Sequence, residues 1–464
     1  MTPPLAAIIL AAGKGTRMKS DLPKGLHPVC GLPILEYIRR AVVGAGVETP
    51  VMVIGHGGDQ VEKRFGTTCQ YAWQREQKGT GHAVAQALPH LDGFTGDVLI
   101  VPGDTPLLES GALCELVQHH RSTGAAMTIA SIVLQRPTGY GRLDRDSSGN
   151  VTRIVEEKDA TESEKTIKEV GVSVYCIKGD LLREYLPKVS DDNAAREFYF
   201  TDLVKLLAHD AHKVQGKVFE DGDVFLGIND RWQLAEVGEI LNQRILKQHA
   251  LNGVTIVDPS STRIGIDVQI GRDTMIEPTT HLLGTTQVGE RCTLGPNTRI
   301  ADSSIGDDCE VLMSHLNRAK MEAGARCGPF ANLRPGAIIG KSAKVGNFVE
   351  VKNATLGERA SVSHLSYIGD GTVGENANIG AGTIFCNYDG FRKHQTHVGA
   401  RAFVGSNSTL VAPVTIGDEA IIAAGSVITH DVEADALGLG RARQENKQQW
   451  ATQWRKRKSG DVEK

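Results

Sequence analysis

Between Leu10 and Lys24 the chain reads LAAGKGTRMKSDLPK, directly after the apolar run Leu5-Ala6-Ala7-Ile8-Ile9. An apolar strand that ends in a glycine-rich, basic loop is suited to holding a triphosphate. Gly13 and Gly15 permit positive φ and close backbone approach, so several N–H groups can converge on phosphate oxygens. Arg17 and Lys24 bring the compensating positive charge. The spacing excludes two commoner phosphate loops. A GxxxxGK[ST] loop carries its lysine after the second glycine, whereas here Lys14 follows the first glycine at once. A dinucleotide fingerprint needs a third glycine where Met18 stands.

Further groups fit nucleotide chemistry. The segment from Gln74 to Ala83, QREQKGTGHA, offers an amide and backbone groups for a planar base. Asp104 follows an apolar run and Gly103, which puts a carboxylate at a strand end. Asn229, in Leu226-Gly227-Ile228-Asn229, offers a second oxygen. Mg²⁺ typically takes one or two protein oxygens plus substrate phosphates, so this pair suffices. A second set lies far along the chain. His364, in VSHLSY, is accompanied by Arg334, Lys352 and Tyr367, three groups able to hold a sugar phosphate, with Asn387-Tyr388 beyond. Imidazole is the side chain that exchanges a proton near neutral pH.

Two kinds of scaffold must position these groups. Up to about residue 228, apolar strand candidates (Ala6–Leu10, Val51–Ile54, Val98–Val101, Met127–Ile132, Val172–Ile177) alternate with helix-like stretches such as Ile34–Val43 and Gly111–His120. That alternation predicts an α/β domain with a largely parallel sheet, whose ligands sit at the carboxyl ends of the strands. Leu234, Val237, Leu241 and Ile245 then recur at helical spacing, so residues 230–250 read as a helical linker, capped by Asn229 or Asp230.

From Ile264 the period becomes six. Ile264-Gly265 is followed by Ile270-Gly271, Val288-Gly289 by Leu294-Gly295, and Val398-Gly399 by Val404-Gly405. An aliphatic residue every six positions is the hexapeptide β-helix repeat, here on the order of nine coils. Glycine, at 52 of 464 residues, is well above the roughly 7% of an average chain. One insertion, Phe385 to Phe391, interrupts the hexads and is expected on one edge of the coil as part of a cleft.

The loop with its following x-P-K resembles the signature of sugar-phosphate nucleotidyltransferases. Taken with the later segments, the chain from about Leu5 to about Trp454 resembles the family of bifunctional N-acetylglucosamine-1-phosphate uridyltransferase/glucosamine-1-phosphate N-acetyltransferase enzymes. The resemblance implies a Rossmann-like α/β nucleotidyltransferase domain over 1–229. A left-handed parallel β-helix acetyltransferase domain with a C-terminal tail would follow over 251–464. It implies that Leu10, Ala11, Ala12, Gly13, Lys24, Gln74, Gly79 and Thr80 bind UTP, that Asp104 and Asn229 hold Mg²⁺, and that Gly141 and Glu156 contact the sugar. Arg17 and Lys24 would neutralise the reacting phosphates. His364 would be the general base, with Arg334, Lys352, Tyr367, Asn378, Asn387 and Tyr388 on the sugar phosphate. Ala381, Ser406, Ala424 and Arg441 would line the acetyl-CoA site, a backbone N–H near Ala381 meeting the oxyanion. Such coils work as trimers with sites between adjacent prisms. Two positions depart from the family pattern: Gly171 stands where an asparagine is usual, and Pro102 where Tyr or Asn is common.

Composition narrows the alternatives. A net charge of −4 gives no general attraction to nucleic acid. The basic run Arg455–Lys458 reads as a solvated tail. Eight cysteines without a CxxC pair fit reduced thiols in a cytoplasmic protein. Leu5–Ala12 lacks a basic flank and is no signal peptide, and no run approaches the roughly 20 apolar residues of a membrane span. Two other readings remain. One is a nucleotidyltransferase for another sugar 1-phosphate with a purely structural coil, against which the Gly79–His82 segment and the His364 set argue. The other is an inactive assembly module, against which the presence of Lys24, Asp104 and His364 argues.

Overall fold

The computed structural model describes residues 3–193 and 196–459. The chain divides into two compact units, Met1–Arg244 and Ile245–Lys464.

In the first unit the apolar runs become the centre of one twisted sheet, in the order Val214–Val218, Met127–Val133, Glu169–Lys178, Asp97–Pro102, Leu5–Ala11, Val51–Ile54, Gln70–Trp73. Leu5–Ala11 runs parallel to both of its neighbours. Glu169–Lys178 is antiparallel to the strands on either side of it. The sheet is largely parallel, as the βα alternation requires. Ile8, Val53, Ile100 and Ile129 are completely buried. A strand covered on both faces reads as a continuous apolar run, which is why the central strands are plain in the sequence. Leu10 stands beside Pro102 in the register, and the Gly103 amide donates to the Leu10 carbonyl at 2.8 Å. The glycine-rich loop and Asp104 therefore leave the same edge of the sheet.

The predicted helix runs from Arg231 to Leu251. Its cap is Asp230, whose carboxylate accepts from the Gln233 amide at 2.9 Å. Val237, Leu241 and Ile245 form its buried stripe. Its early turns pack on the first unit: Arg231 donates to the Met18 carbonyl at 3.0 Å and Arg244 to the Leu107 carbonyl at 3.2 Å.

The second unit is a parallel β-helix. Ile264, Leu282, Ile300, Leu316, Leu333, Val351 and Ile368 stack coil upon coil on one face. Ile276, Leu294, Val311, Cys327, Val345, Val362, Ile379, Val404 and Ile422 stack on another. Each fully buried aliphatic side chain contributes about 1.5–3 kcal/mol, so the prism is held by its own axis. The corners take left-handed φ, often at residues other than glycine, as at Asn297, Phe330, Phe348, Leu365 and Asn407. The insertion emerges after the strand Ile384–Cys386, and the next strand on that coil begins at Thr396.

The eight cysteines, all among the described residues, form no disulfide. Among the described residues no helix is long and apolar enough to cross a membrane. Arg455–Lys458 lie on an exposed terminal helix, Trp450–Ser459; residues 460–464 of the expected tail lie outside the described residues.

Candidate functional site

A cleft of about 730 Å³ opens at the carboxyl ends of the first unit's strands. Leu10–Gly13, Lys24, Gln74, Gly79-Thr80, Asp104 and Asn229 all line it. The two loop glycines act differently from the expectation. Only Gly15 has a left-handed φ, 61°, and a Cβ there would sit 2.9 Å from Lys24 Cβ. Gly13 is not in that region; a Cβ on it would meet no protein atom within 4 Å, so its bareness leaves room for a ligand.

Lys24 Nζ donates to Asp104 Oδ2 at 2.7 Å and to Asn229 Oδ1 at 3.3 Å. Arg17 Nη2 donates to the same Asn229 oxygen at 2.8 Å. The Ile228 amide donates to the Asp104 carbonyl at 2.8 Å, which ties the two segments together. Two protein oxygens thus converge on one cationic centre, a donor set that suits Mg²⁺ completed by phosphate oxygens. Among the described residues no group of three or more His, Cys, Asp or Glu side chains could hold a metal ion.

On the far wall Gln74 is buried, its Nε2 donating to the Gly79 carbonyl at 3.1 Å and lying 3.0 Å from His82 Nδ1. Gly79 has φ 106°, and a Cβ there would fall 2.5 Å from the Phe198 carbonyl oxygen, so no other residue fits. Arg17, Gly141 and Glu156 do not form part of the cleft wall. Glu156 accepts from the Thr201 hydroxyl at 3.2 Å. Burial pushes its carboxyl pKa up, and Asp159 and Asp202 add to that. Gly141 accepts from the Gly171 amide at 3.0 Å. Gly171 and Pro102 both line the cleft, so the two departures lie at the site. Tyr140, Glu197 and Gln233 line it too and were not singled out from the sequence. Gln233 was findable as the helix residue that accepts from the Asn229 amide, at 2.7 Å.

The second unit gathers its groups by register. Val362 pairs with Ile379, Ile379 with Val404, and Val404 with Ile422. Two residues on from each, His364, Ala381, Ser406 and Ala424 therefore form one column along the edge of the prism. His364 is exposed, and its carbonyl accepts from the Gly382 amide at 3.2 Å. Gly380 N is taken by the Val404 carbonyl, whereas Ala381 N has no partner among the described residues. Across the corner at Leu365-Ser366 stands Tyr367, whose hydroxyl accepts from Asn387 Nδ2 at 3.3 Å. Lys393 Nζ sits 4.7 Å from the centre of the Tyr388 ring. Arg334 donates to Glu350 at 2.8 Å, while Glu350 pairs with Tyr367 and Lys352 with Gly369.

The insertion is anchored by a residue the sequence did not flag. Asp370 is buried and accepts from both Asn353 and Asn387. It carries no signal because acidic residues stand at many coil corners. Asn378 opens the strand Asn378–Ile379 that leads into the column at Ala381, beside Phe403, while Arg441 is exposed beyond Gly440; no hydrogen bond among the described residues joins either side chain to this group.

Comparison with known proteins agrees with both halves. Residues 7–199 match the MobA-like NTP transferase domain. Residues 267–302 match the bacterial transferase hexapeptide and 395–430 the hexapeptide repeat of succinyl-transferase. "Bifunctional protein GlmU" of Pelobacter propionicus is 45% identical over 98% of this chain and 99% of its own. Proteins of the same name from Geobacillus thermodenitrificans and Trichlorobacter lovleyi are 45% and 46% identical, over 97% and 96% of this chain and 98% and 97% of theirs. The chain belongs to the bifunctional GlmU family. Its fold is that of the family, an α/β nucleotidyltransferase domain followed by a left-handed β-helix of hexapeptide repeats. GlmU enzymes combine uridylyl and acetyl transfer in the synthesis of UDP-N-acetylglucosamine, and the full-length match removes the reading of a coil that serves assembly alone.

Proposed function

We propose that the cleft of the first unit performs the uridylyl transfer and that the column headed by His364 performs the acetylation. Glucosamine 1-phosphate is acetylated first, and the N-acetylglucosamine 1-phosphate formed is then uridylylated by UTP.

In the cleft, a phosphate oxygen of the sugar attacks the α-phosphorus in line and pyrophosphate leaves. The nucleophile is already anionic, so no protein base is needed. The loop amides of Leu10–Gly13, with Lys24 and Arg17, neutralise the charge that moves toward pyrophosphate. Gln74 and Gly79-Thr80 hold the base, and the sugar is assigned to Gly141 and Glu156, which stand directly behind the wall residues Tyr140 and Gly171. Asp104 and Asn229 would hold Mg²⁺, which when bound supplies further charge neutralisation at the phosphates.

On the β-helix, His364 takes a proton from the 2-amino group as nitrogen bonds to the acetyl carbon. The carbon–sulfur bond then breaks and CoA leaves as its thiol. The unpartnered Ala381 N–H is the donor for the oxyanion. Arg334, Lys352, Tyr367, Asn387 and Tyr388 hold the sugar phosphate, and Ala381, Ser406 and Ala424 line the CoA site. Asn378 stands on the strand that leads to Ala381 and Arg441 beyond Gly440, and a neighbouring prism in a homotrimer would bring such residues against the column of the next copy. The exposed apolar side chains on either side of the column support that assembly: Phe330, Phe348 and Leu365 on one side, Phe403, Ile421 and Leu437 on the other. Cysteines without disulfides and nucleotide substrates fit a cytoplasmic enzyme.

The observation that carries this reading is the alignment of His364, Ala381, Ser406 and Ala424 beside Tyr367 and Asn387. The test supplies glucosamine 1-phosphate, acetyl-CoA, UTP and Mg²⁺ to the purified protein and omits each in turn. His364→Ala is expected to stop formation of N-acetylglucosamine 1-phosphate while UTP is still consumed when that compound is added. Undiminished acetylation by His364→Ala would overturn it.

A further inference from the structure

Lys24 touches both halves of the nucleotide site. Its stem lies against the phosphate loop, where only the bareness of Gly15 leaves room for Lys24 Cβ. Its ammonium meanwhile bridges Asp104 Oδ2 and Asn229 Oδ1, at 2.7 and 3.3 Å. These are the two oxygens assigned above to Mg²⁺. An ammonium and a divalent cation compete for them, since each approaches the same oxygens and the two like charges repel. Neither partner of the ion pair is sealed from water, with side-chain exposures of 20% and 26%, so ions can exchange there.

We propose that Lys24 is an exchangeable counter-ion: it holds the Asp104–Asn229 oxygens together, is displaced from them by the divalent cation, and moves onto the triphosphate beside Gly15. The phosphates then favour the metal by drawing Lys24 away, and the metal favours the phosphates by releasing Lys24. Such coupling is reciprocal. The protein without nucleotide binds the metal weakly because Lys24 competes for its ligands. Arg17, on Asn229 alone, is a lesser competitor.

This inference rests on the assignment of Asp104 as a metal ligand, and the test separates the two. Binding of Mn²⁺ to the full chain is measured without nucleotide, from the electron paramagnetic resonance signal of free Mn²⁺. Lys24→Gln is expected to bind Mn²⁺ about tenfold more tightly than the unsubstituted protein. Lys14→Gln, which removes the same charge from the same loop, is expected to change affinity by less than about twofold. Asp104→Asn and the double variant Lys24→Gln/Asp104→Asn are expected to lose the site. Equal affinity in Lys24→Gln and the unsubstituted protein, or an equal gain in Lys14→Gln, overturns the exchange while loss in Asp104→Asn keeps the metal assignment. If the double variant binds as tightly as Lys24→Gln, the metal assignment of Asp104 falls and the exchange with it. An unchanged calorimetric transition of the first unit in each variant checks that the site's own unit is folded.

Discussion

Glu156 ionises against its surroundings, and that gives it a measurable signature. Burial and the neighbouring Asp159 and Asp202 raise its pKa above the ordinary 4.5. The fold therefore favours the neutral acid. The stability this contributes is complete below the ordinary value and is lost as pH rises through the raised one. Glu156→Gln keeps the shape and removes the charge. Its thermal midpoint should exceed that of the unsubstituted protein at about pH 8, and the gain should vanish near pH 4. The KM for N-acetylglucosamine 1-phosphate should rise about tenfold or more, the worth of one charge-assisted hydrogen bond. A gain that is equal at both pH values would assign the effect to packing instead. Retaining an unfavourable carboxylate fits the sugar contact proposed for it. The sequence could nominate Glu156 through resemblance only, because its burial and its bond to Thr201 join segments far apart in the chain. Local pattern nominates Lys24 and Asp104, since each lies in the segment that follows a strand whose apolar run is unmistakable.

At the scale of elements, legibility followed burial. Val51–Ile54 is buried along its whole length and its sequence limits are those of the strand. Arg142–Arg145 and Val151–Val155 mix charged and apolar residues, and nothing local distinguished them from loops. The irregularity between Gly171 and Tyr175, with Ser173 at φ 59°, arises from pairing with Met127–Val133 and has no local cause. The β-helix was the most readable element because each hexad repeats the same requirement for one aliphatic residue on the axis. It also supports the insertion. Phe385 is 1% exposed, stacks on Leu410 and directly precedes Cys386 and Asn387. Phe385→Ala leaves a cavity in a coil whose neighbours are fixed by their own ladders, at a cost of about 3–5 kcal/mol. Calorimetry should show the second unit melting earlier, with acetyl transfer reduced and uridylyl transfer retained. A loss of stability below about 1 kcal/mol would mean that the coil collapses onto the gap.

For the whole molecule, the corner residues pose a question that a lone prism does not answer. Phe330 and Phe348 hold left-handed φ of 58° and 57°, a region costly for bulky side chains. Their rings stack at 5.3 Å with 10° between planes, yet they are 53% and 58% exposed. Neither the backbone nor the interior of the prism gains from phenylalanine there. Contact with another copy would, because burying two aromatic rings outweighs the local strain. Phe348→Asp separates these contributions. Aspartate accepts left-handed φ more readily than phenylalanine, so the coil itself is not penalised, while a charge in the contact would oppose association. Sedimentation should then report a smaller species than the homotrimer expected of the unsubstituted protein. Acetyl transfer should fall by about tenfold or more, since His364 lies one residue from the same corner column. Uridylyl transfer should stay within about twofold, because each group proposed for it lies within Met1–Arg244. A variant that sediments as monomer with undiminished acetylation would show that each prism carries a complete site. One that still sediments as a trimer would move the interface to the Phe403–Leu437 side of the column.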